Sequence, residues 1–291
     1  MKHLPGKVAV VTGAGSGMGR ALAQRLAAAG CHLALTDVQA GPLEETVALA
    51  AAAGEPATAG PQPRCTWALV DVADRASMEG FASDVVRDHG GVNLLFNNAG
   101  VALTGDVQHL DYDDMHWLMN INFWGVVHGC KAFLPYLQRA DEAHIANTSS
   151  VFGLISVPGQ SAYHAAKFAV KGFTDALRLE LRGTPIGVSC VMPGGVKTNI
   201  VRTSRYRAAD NAAPTLEEMA SRFEQYAALT PLQAADEILR GVRKRKAHIL
   251  VGRDARMLAL LVRLFPVGYY KLLERSQRRA MQNLVTPGTE V

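Results

Sequence analysis

The sequence predicts an α/β domain built on one doubly wound parallel sheet of about seven strands, with helices on both faces and a helical C-terminal extension. Two observations carry this. Short runs rich in β-branched residues alternate with longer, Ala-rich segments along most of the chain. The short runs are apolar throughout instead of alternating, as strands covered on both faces are, and the intervening segments suit right-handed helical crossovers.

In chain order, Lys7–Thr12 (KVAVVT) reads as the first strand and Gly19–Gly30 as a helix ended by glycine. His32–Asp37 is the second strand, Gly41–Gly54 the second helix and Thr66–Val72 the third strand. Before that strand, the Pro/Gly-rich stretch Gly54–Cys65 reads as an exposed insert. A helix follows near Arg75–His89, then a fourth strand in Val92–Gly100 and one long helical region from about Asp111 to Gln138. Ala143–Ser150 is a fifth strand, Ser161–Gly183 a helix, Ile186–Gly195 a sixth strand and His248–Gly252 a seventh. The whole chain, 1–291, is expected to form a single domain, with a substrate lid over about 199–230 and an extension over about 253–291.

A length of 291 residues with 48% hydrophobic content supports a full core, and 19% charge without polar low-complexity runs argues against disorder. Cys31, Cys65, Cys130 and Cys190 are scattered, form no CxxC pair, and read as reduced thiols of a cytoplasmic protein, not as a disulfide frame or metal site. The first apolar run is too short for a signal h-region and ends in a glycine loop, and no run of 18 apolar residues occurs, so neither a secretory leader nor a spanning helix is expected. The net charge of +4 is unevenly spread: from Arg240 onward there are 12 Lys/Arg and 3 Asp/Glu, whereas the preceding 239 residues carry 18 and 23.

The first strand runs into TGAGSGMGRALA, where Gly13, Gly15, Gly17 and Gly19 let backbone amides approach a pyrophosphate at a helix N-terminus. The spacing is T-G-x-x-x-G-x-G, not G-x-G-x-x-G. This strand–loop–helix unit makes the fold Rossmann-like. Asp37 ends the second strand, twenty residues after Gly17. A carboxylate there accepts ribose hydroxyls and repels a 2′-phosphate, and no Lys or Arg precedes Arg20 in the loop or directly follows Asp37. NAD(H) is therefore expected over NADP(H).

Within SAYHAAKFAV, Tyr163 and Lys167 lie one helical turn apart on one face. Alone, such a pair is commonly a half-buried aromatic beside a solvated charge. In a cleft, the ammonium would bring the phenol, whose pKa is ordinarily about 10, towards a range useful for acid–base work. Together these features resemble the short-chain dehydrogenase/reductase family over about Gly6–Thr198. The likeness rests on Thr12–Gly19, Asp71 in VDV, Asn97–Gly100 (NNAG), Asn122 in NINFWG, Ser150 thirteen residues before Tyr163, Tyr163-x-x-x-Lys167, and Pro193, Gly194 and Thr198 in PGGVKT.

The resemblance implies Tyr163 as acid/base, Ser150 as the group orienting the substrate oxygen, Lys167 as a contact to the nicotinamide ribose, and Asn122 as holder of a proton-relaying water. Its cofactor contacts would be Gly13, Ser16, Gly17, Met18, Gly19, Asp37, Asp71 (at the adenine), Val72, Asn98, Ala99, Gly100, Tyr163, Lys167, Pro193, Gly194, Val196 and Thr198. Small Ala162, Ala165 and Ala166 would let the helix lie close to cofactor and sheet. His164 points away from Tyr163's face and is expected to be a surface or packing residue.

Substrate choice should lie in the loops after strands four to six. There Val101, Leu103, Phe152, Leu154 and Gly195, with Tyr206 of the lid, make an apolar pocket. No Arg or Lys is obviously placed for a substrate carboxylate; Arg202, Arg205 and Arg207 in the expected lid are the exceptions to weigh, each otherwise a solvated charge. The expected reaction interconverts a hydrophobic secondary alcohol and its ketone. Alternatives are an NADP-dependent carbonyl reductase and a non-catalytic nucleotide-binding scaffold or sensor. The run Arg243–Lys246 lacks aromatic interleaving and gives poor support for nucleic-acid binding. The tail suggests two short helices. Either it docks on protein, burying Met257, Leu258, Leu260, Leu261, Leu264 and Phe265, or it is a basic amphipathic surface touching membrane. The docked arrangement, in a homodimer, is the expected one.

Overall fold

The computed structural model describes residues 1, 3–53, 63–208 and 214–272. Its centre is a seven-stranded, wholly parallel sheet. The strands are β1 (Val8–Thr12), β2 (His32–Asp37), β3 (Cys65–Leu69), β4 (Leu94–Asn97), β6 (Ala143–Thr148), β7 (Ile186–Pro193) and β9 (His248–Val251), ordered β3-β2-β1-β4-β6-β7-β9. The order reverses between β1 and β4, which opens a crevice at the carboxyl ends of the strands. A parallel two-stranded sheet joins β5 (Leu103–Thr104) to β8 (Arg205–Tyr206) above that crevice.

Successive side chains of each strand feed opposite layers. Ala9 and Val11 face α1 (Gly17–Ala28), α2 (Ala40–Ala53) and α8 (Pro231–Arg243), where Leu22, Leu26, Leu43 and Ile238 are buried. Val8 and Val10 face α3 (Arg75–His89), α5 (Gly125–Leu137) and α6 (Ser161–Glu180), where Phe81, Phe133, Val170 and Leu177 are buried. Helix α8 illustrates the local logic. Thr230 and Gln233 form a capping box, Pro231 opens the first turn, and Ala234, Ala235, Ile238, Leu239 and Val242 make one buried stripe laid directly on α1.

Several elements differ from expectation. β3 ends at Leu69, and as an edge strand it leaves Trp67 and Leu69 exposed instead of buried on both faces. The long helical region is two helices, α4 (Tyr112–Met119) and α5, joined by a π turn over Asn120–Trp124. The segment expected as a lid contains β8 and the amphipathic α7 (Leu216–Tyr226). Most of the expected insert, residues 54–62, and the end of the extension, residues 273–291, lie outside the described residues.

The extension begins with α9 (Arg253–Leu264), which rests on the body but buries less than expected. Ala255 is buried and Leu258 and Leu261 are half-buried, whereas Met257, Leu260, Leu264 and Phe265, expected to be buried with them, face outward. Among the described residues no helix is long and apolar enough to cross a membrane.

Candidate active site

The glycine loop is shaped by close contacts. Gly13 and Gly17 have φ of +64° and +50°, and a Cβ would lie 2.6 Å from Ala99 Cα at the first and 3.1 Å from Thr198 Cγ2 at the second. Those contacts pull the loops after β4 and β7 onto the start of α1. Ser16 occupies the N-cap position of α1, yet its hydroxyl caps nothing and no acidic residue fills the first turn. The amides there are open to an anion, so the loop fits a pyrophosphate. Met18 is half-buried and packs against the core beneath α1.

Asp37 Oδ2 accepts from Gly15 N (2.9 Å) and Oδ1 from Gln39 N (3.1 Å), which holds the carboxylate beside the loop. Arg20 donates to Gly15 O (2.6 Å), Pro42 O (3.1 Å) and Thr46 Oγ1 (3.0 Å), and pairs with Glu45 at 2.7 Å. Its guanidinium is thus committed to α2. Asn98 Nδ2 donates to Thr12 O (3.1 Å), and Thr12 Oγ1 accepts from the amides of Asn98 and Ala99 at 3.0 Å each, locking β1 to the end of β4. Asp71 turns its carboxylate to Ala73 N (2.9 Å), and Val72 is buried against Gly125. Gly194 N donates to Val251 O at 2.9 Å, and Val196 is buried, bridged to Leu229.

Across the crevice, Ser150, Tyr163, Lys167 and Asn122 converge. Lys167 is buried, its Nζ donating to Thr148 O at 3.1 Å and lying 5.5 Å from the Tyr163 ring centre. A Cβ on Gly100 would sit 3.1 Å from Asn122 Oδ1 and 3.4 Å from Lys167 Nζ, so both groups border the same glycine. The π turn aims Asn122 inward, where its amide accepts from Val101 N and donates to Val101 O, each at 2.8 Å. The side chain thereby ties down the loop after β4. Ser149 and Ser150 divide their tasks: Ser149 Oγ donates to Lys167 O at 2.7 Å, whereas Ser150 lies against Tyr163 and accepts from Phe152 N at 3.1 Å.

Burial pushes the Tyr163 phenol up to about 12, against a downward pull from its hydrogen bond with Ser150. Burial brings the Lys167 ammonium down to about 8. In the free protein Lys167 is hydrogen-bonded to a carbonyl rather than to the phenol, so it does not offset the desolvation that both groups share. The phenol is protonated and ready to donate.

The residues expected as apolar walls fall in three segments. Leu103 is wholly buried with Leu118, Ala162 and Ala166, behind the cleft rather than lining it. Phe152 meets Tyr163 edge-on at 6.2 Å, and Val101 and Leu154 are half-buried nearby in sequence. Gly195 packs against Ala227, and Tyr206 sits in the small sheet beside Thr104. His164, as expected, packs: its Nε2 accepts from Val157 N and its Nδ1 bonds Phe152 O, both at 3.0 Å. That pair of bonds selects the neutral Nδ1–H tautomer and holds both ends of the loop after β6.

Three further contributors escaped the sequence reading. Asp254 Oδ2 accepts from Gly195 N at 2.7 Å, anchoring the loop after β7 from α9. Tyr269 Oη accepts from Ser156 N at 2.8 Å, so the extension braces the loop after β6. Buried Asp114 on α4 pairs with Arg205 (2.9 Å) and Arg207 (2.6 Å), while Arg205 stacks 3.9 Å over Trp117. Burial acts to raise the Asp114 carboxyl, but Arg207 and Arg205 outweigh it and hold it below the usual range. These two arginines are latches, not solvated charges. No signal short of the fold joins residues more than 90 positions apart.

Residues 7–209 match the family model described as short chain dehydrogenase. The chain is 42% identical over 276 residues to the protein named oxidoreductase SadH of Mycobacterium tuberculosis, covering 94% of this chain and 96% of that one. It is 33% identical over 272 residues to dehydrogenase/reductase SDR family member 7B of Bos taurus, covering 94% and 81%. A solved short chain dehydrogenase/reductase of Burkholderia phymatum, in complex with NAD, superposes with a TM-score of 0.78 at 35% identity, covering 90% and 94%.

Proposed function

The chain belongs to the short-chain dehydrogenase family, an oxidoreductase family with a nicotinamide cofactor, and from that premise we propose that it interconverts a hydrophobic secondary alcohol and its ketone with NAD(H). The observation that carries the reading is the meeting of Ser150, Tyr163 and Lys167 under apolar walls at the carboxyl ends of β4, β6 and β7. Bound nicotinamide supplies the hydride donor or acceptor. Tyr163 donates its proton to the carbonyl oxygen in reduction and takes it back in oxidation. Ser150 hydrogen-bonds that oxygen and sets its position between the two hydroxyls. Lys167, bordering Gly100 and Asn122, would hold the cofactor ribose and, when charged, would favour the phenolate.

NAD over NADP is supported by Asp37 beside the loop and by Arg20, the nearest basic residue in sequence, being spent on Gly15, Pro42 and Glu45. The four unpaired thiols suit a reducing, cytoplasmic setting. Homodimer formation through the α5/α6 side is supported by Trp124, Phe168 and Leu179, which stand exposed there.

The test is NAD-linked turnover over a panel of hydrophobic secondary alcohols and ketones. Tyr163→Phe should abolish turnover while leaving NAD affinity nearly intact, and Asp37→Ala should weaken NAD more than NADP. Retention of more than a few per cent of turnover by Tyr163→Phe would remove the acid/base assignment. A wild type that prefers NADP would reverse the cofactor assignment.

A further inference from the structure

We propose that the exposed face of the C-terminal extension docks the protein on an anionic lipid bilayer. Docking holds or fails independently of the reaction. On α9, Met257, Leu260 and Leu264 form one outward ridge at helical spacing and are 64%, 58% and 62% exposed. Just past the helix end, Phe265 and Val267 are also exposed, at 51% and 79%. An exposed apolar cluster of this kind marks an interaction site.

The charge pattern selects the partner. Arg256 and Arg263 project about a quarter turn from the ridge along one flank. Arg256 also lines a cleft with Arg240, Lys244 and Lys246 beside β9. The one acidic lining residue, Glu237, is already bound to Arg256 (2.7 Å) and to Gly252 N (3.1 Å). Residues 240–272 carry nine Lys/Arg and one Asp/Glu, whereas residues 1–239 carry 18 and 23. An apolar ridge with a cationic flank fits a surface that offers acyl chains beneath negative headgroups. The acidic body is repelled by that surface, so the protein meets it in one orientation. A symmetric second copy fits less well, because a two-fold axis through the ridge brings like-charged arginines together. Tyr269 joins this extension to Ser156, so a docked bilayer lies beside the loop that walls the substrate cleft.

The experiment sediments the full chain with vesicles of phosphatidylcholine alone and of an equimolar phosphatidylcholine–phosphatidylglycerol mixture. The protein is expected to pellet with the anionic vesicles and to stay in solution with the neutral ones, and to be released by high salt. Leu260→Asp with Leu264→Asp should lower binding by about tenfold or more, and Lys244→Glu with Arg263→Glu by about tenfold, each pair keeping the parent's cooperative melt. Leu260→Ser with Leu264→Ser replaces the first pair if the aspartates prevent folding. Absence from the anionic pellet, or equal binding to both vesicles, overturns the proposal. So does unchanged vesicle binding by the ridge variants, and a ridge variant that instead splits an oligomer would assign the face to a second copy.

Discussion

Lys167 holds an amine in a place with almost no water, and the consequence for stability can be measured. Unfolded, its pKa is near the ordinary 10.5; folded, burial brings it to about 8. Between those values the unfolded chain binds the proton more readily, so stability rises with pH from about 8 towards 10.5, and the full penalty is present below 8. Tyr163 acts oppositely above pH 10, because its folded value of about 12 lies over the ordinary 10. Lys167→Met is therefore expected to be inactive yet about 1–3 kcal/mol more stable at pH 7. The gain should shrink as pH rises from 8 to 10. Denaturant midpoints of both proteins at several pH values give the answer, and a variant less stable at pH 7 would contradict it.

At the scale of elements, the small β5–β8 sheet and the Asp114 ion pairs fix the segment carrying Arg205 and Arg207, which we propose to be the substrate lid. Arg205 N donates to Ala102 O (3.1 Å) and Arg207 N to Thr104 O (2.9 Å), so the lid is held by backbone as well as by ion pairs. Asp114→Asn removes the charge that both arginines share. Each arginine is 45% exposed and returns to water easily, which keeps the global cost small. The expected result is a KM about five- to tenfold higher with kcat little changed, and faster hydrogen exchange at the Arg205 and Arg207 amides. Unaltered exchange would show that the backbone ladder alone closes the lid.

The same elements show what could be read in advance. The succession of strands and helices and the doubly wound parallel class follow from apolar runs and helical crossovers, and the placement of Gly13, Asp37, Tyr163 and Lys167 follows from motif spacing, because each is a local pattern. The π turn at Asn120–Trp124 leaves no such pattern, since one added residue changes hydrogen bonding without changing composition. The outward ridge of α9 was also hidden: periodicity reveals that a helix has an apolar face, not which way that face points. Asp114 with Arg205 and Arg207, and Tyr269 with Ser156, are pairings made only by the tertiary fold.

At the scale of the whole molecule, the layer formed by α1, α2 and α8 draws on both ends of the chain. Helix α1 ends at Ala28 and its partner α8 begins at Pro231. A ribosome adding about 5–20 residues per second needs roughly 10–40 s to bridge that interval. Throughout it, the apolar side of α1 that α8 will cover has no native cover, although β1, β2 and β3 can already pair. A chain released before Pro231 should therefore aggregate or be retained by a holdase chaperone, whereas one released after Val251 should be soluble and fold. If the shorter product proved equally soluble, α1 would not depend on α8 for cover. The half-minute before α8 emerges is thus a vulnerable window in biosynthesis, set by which helix lies on which.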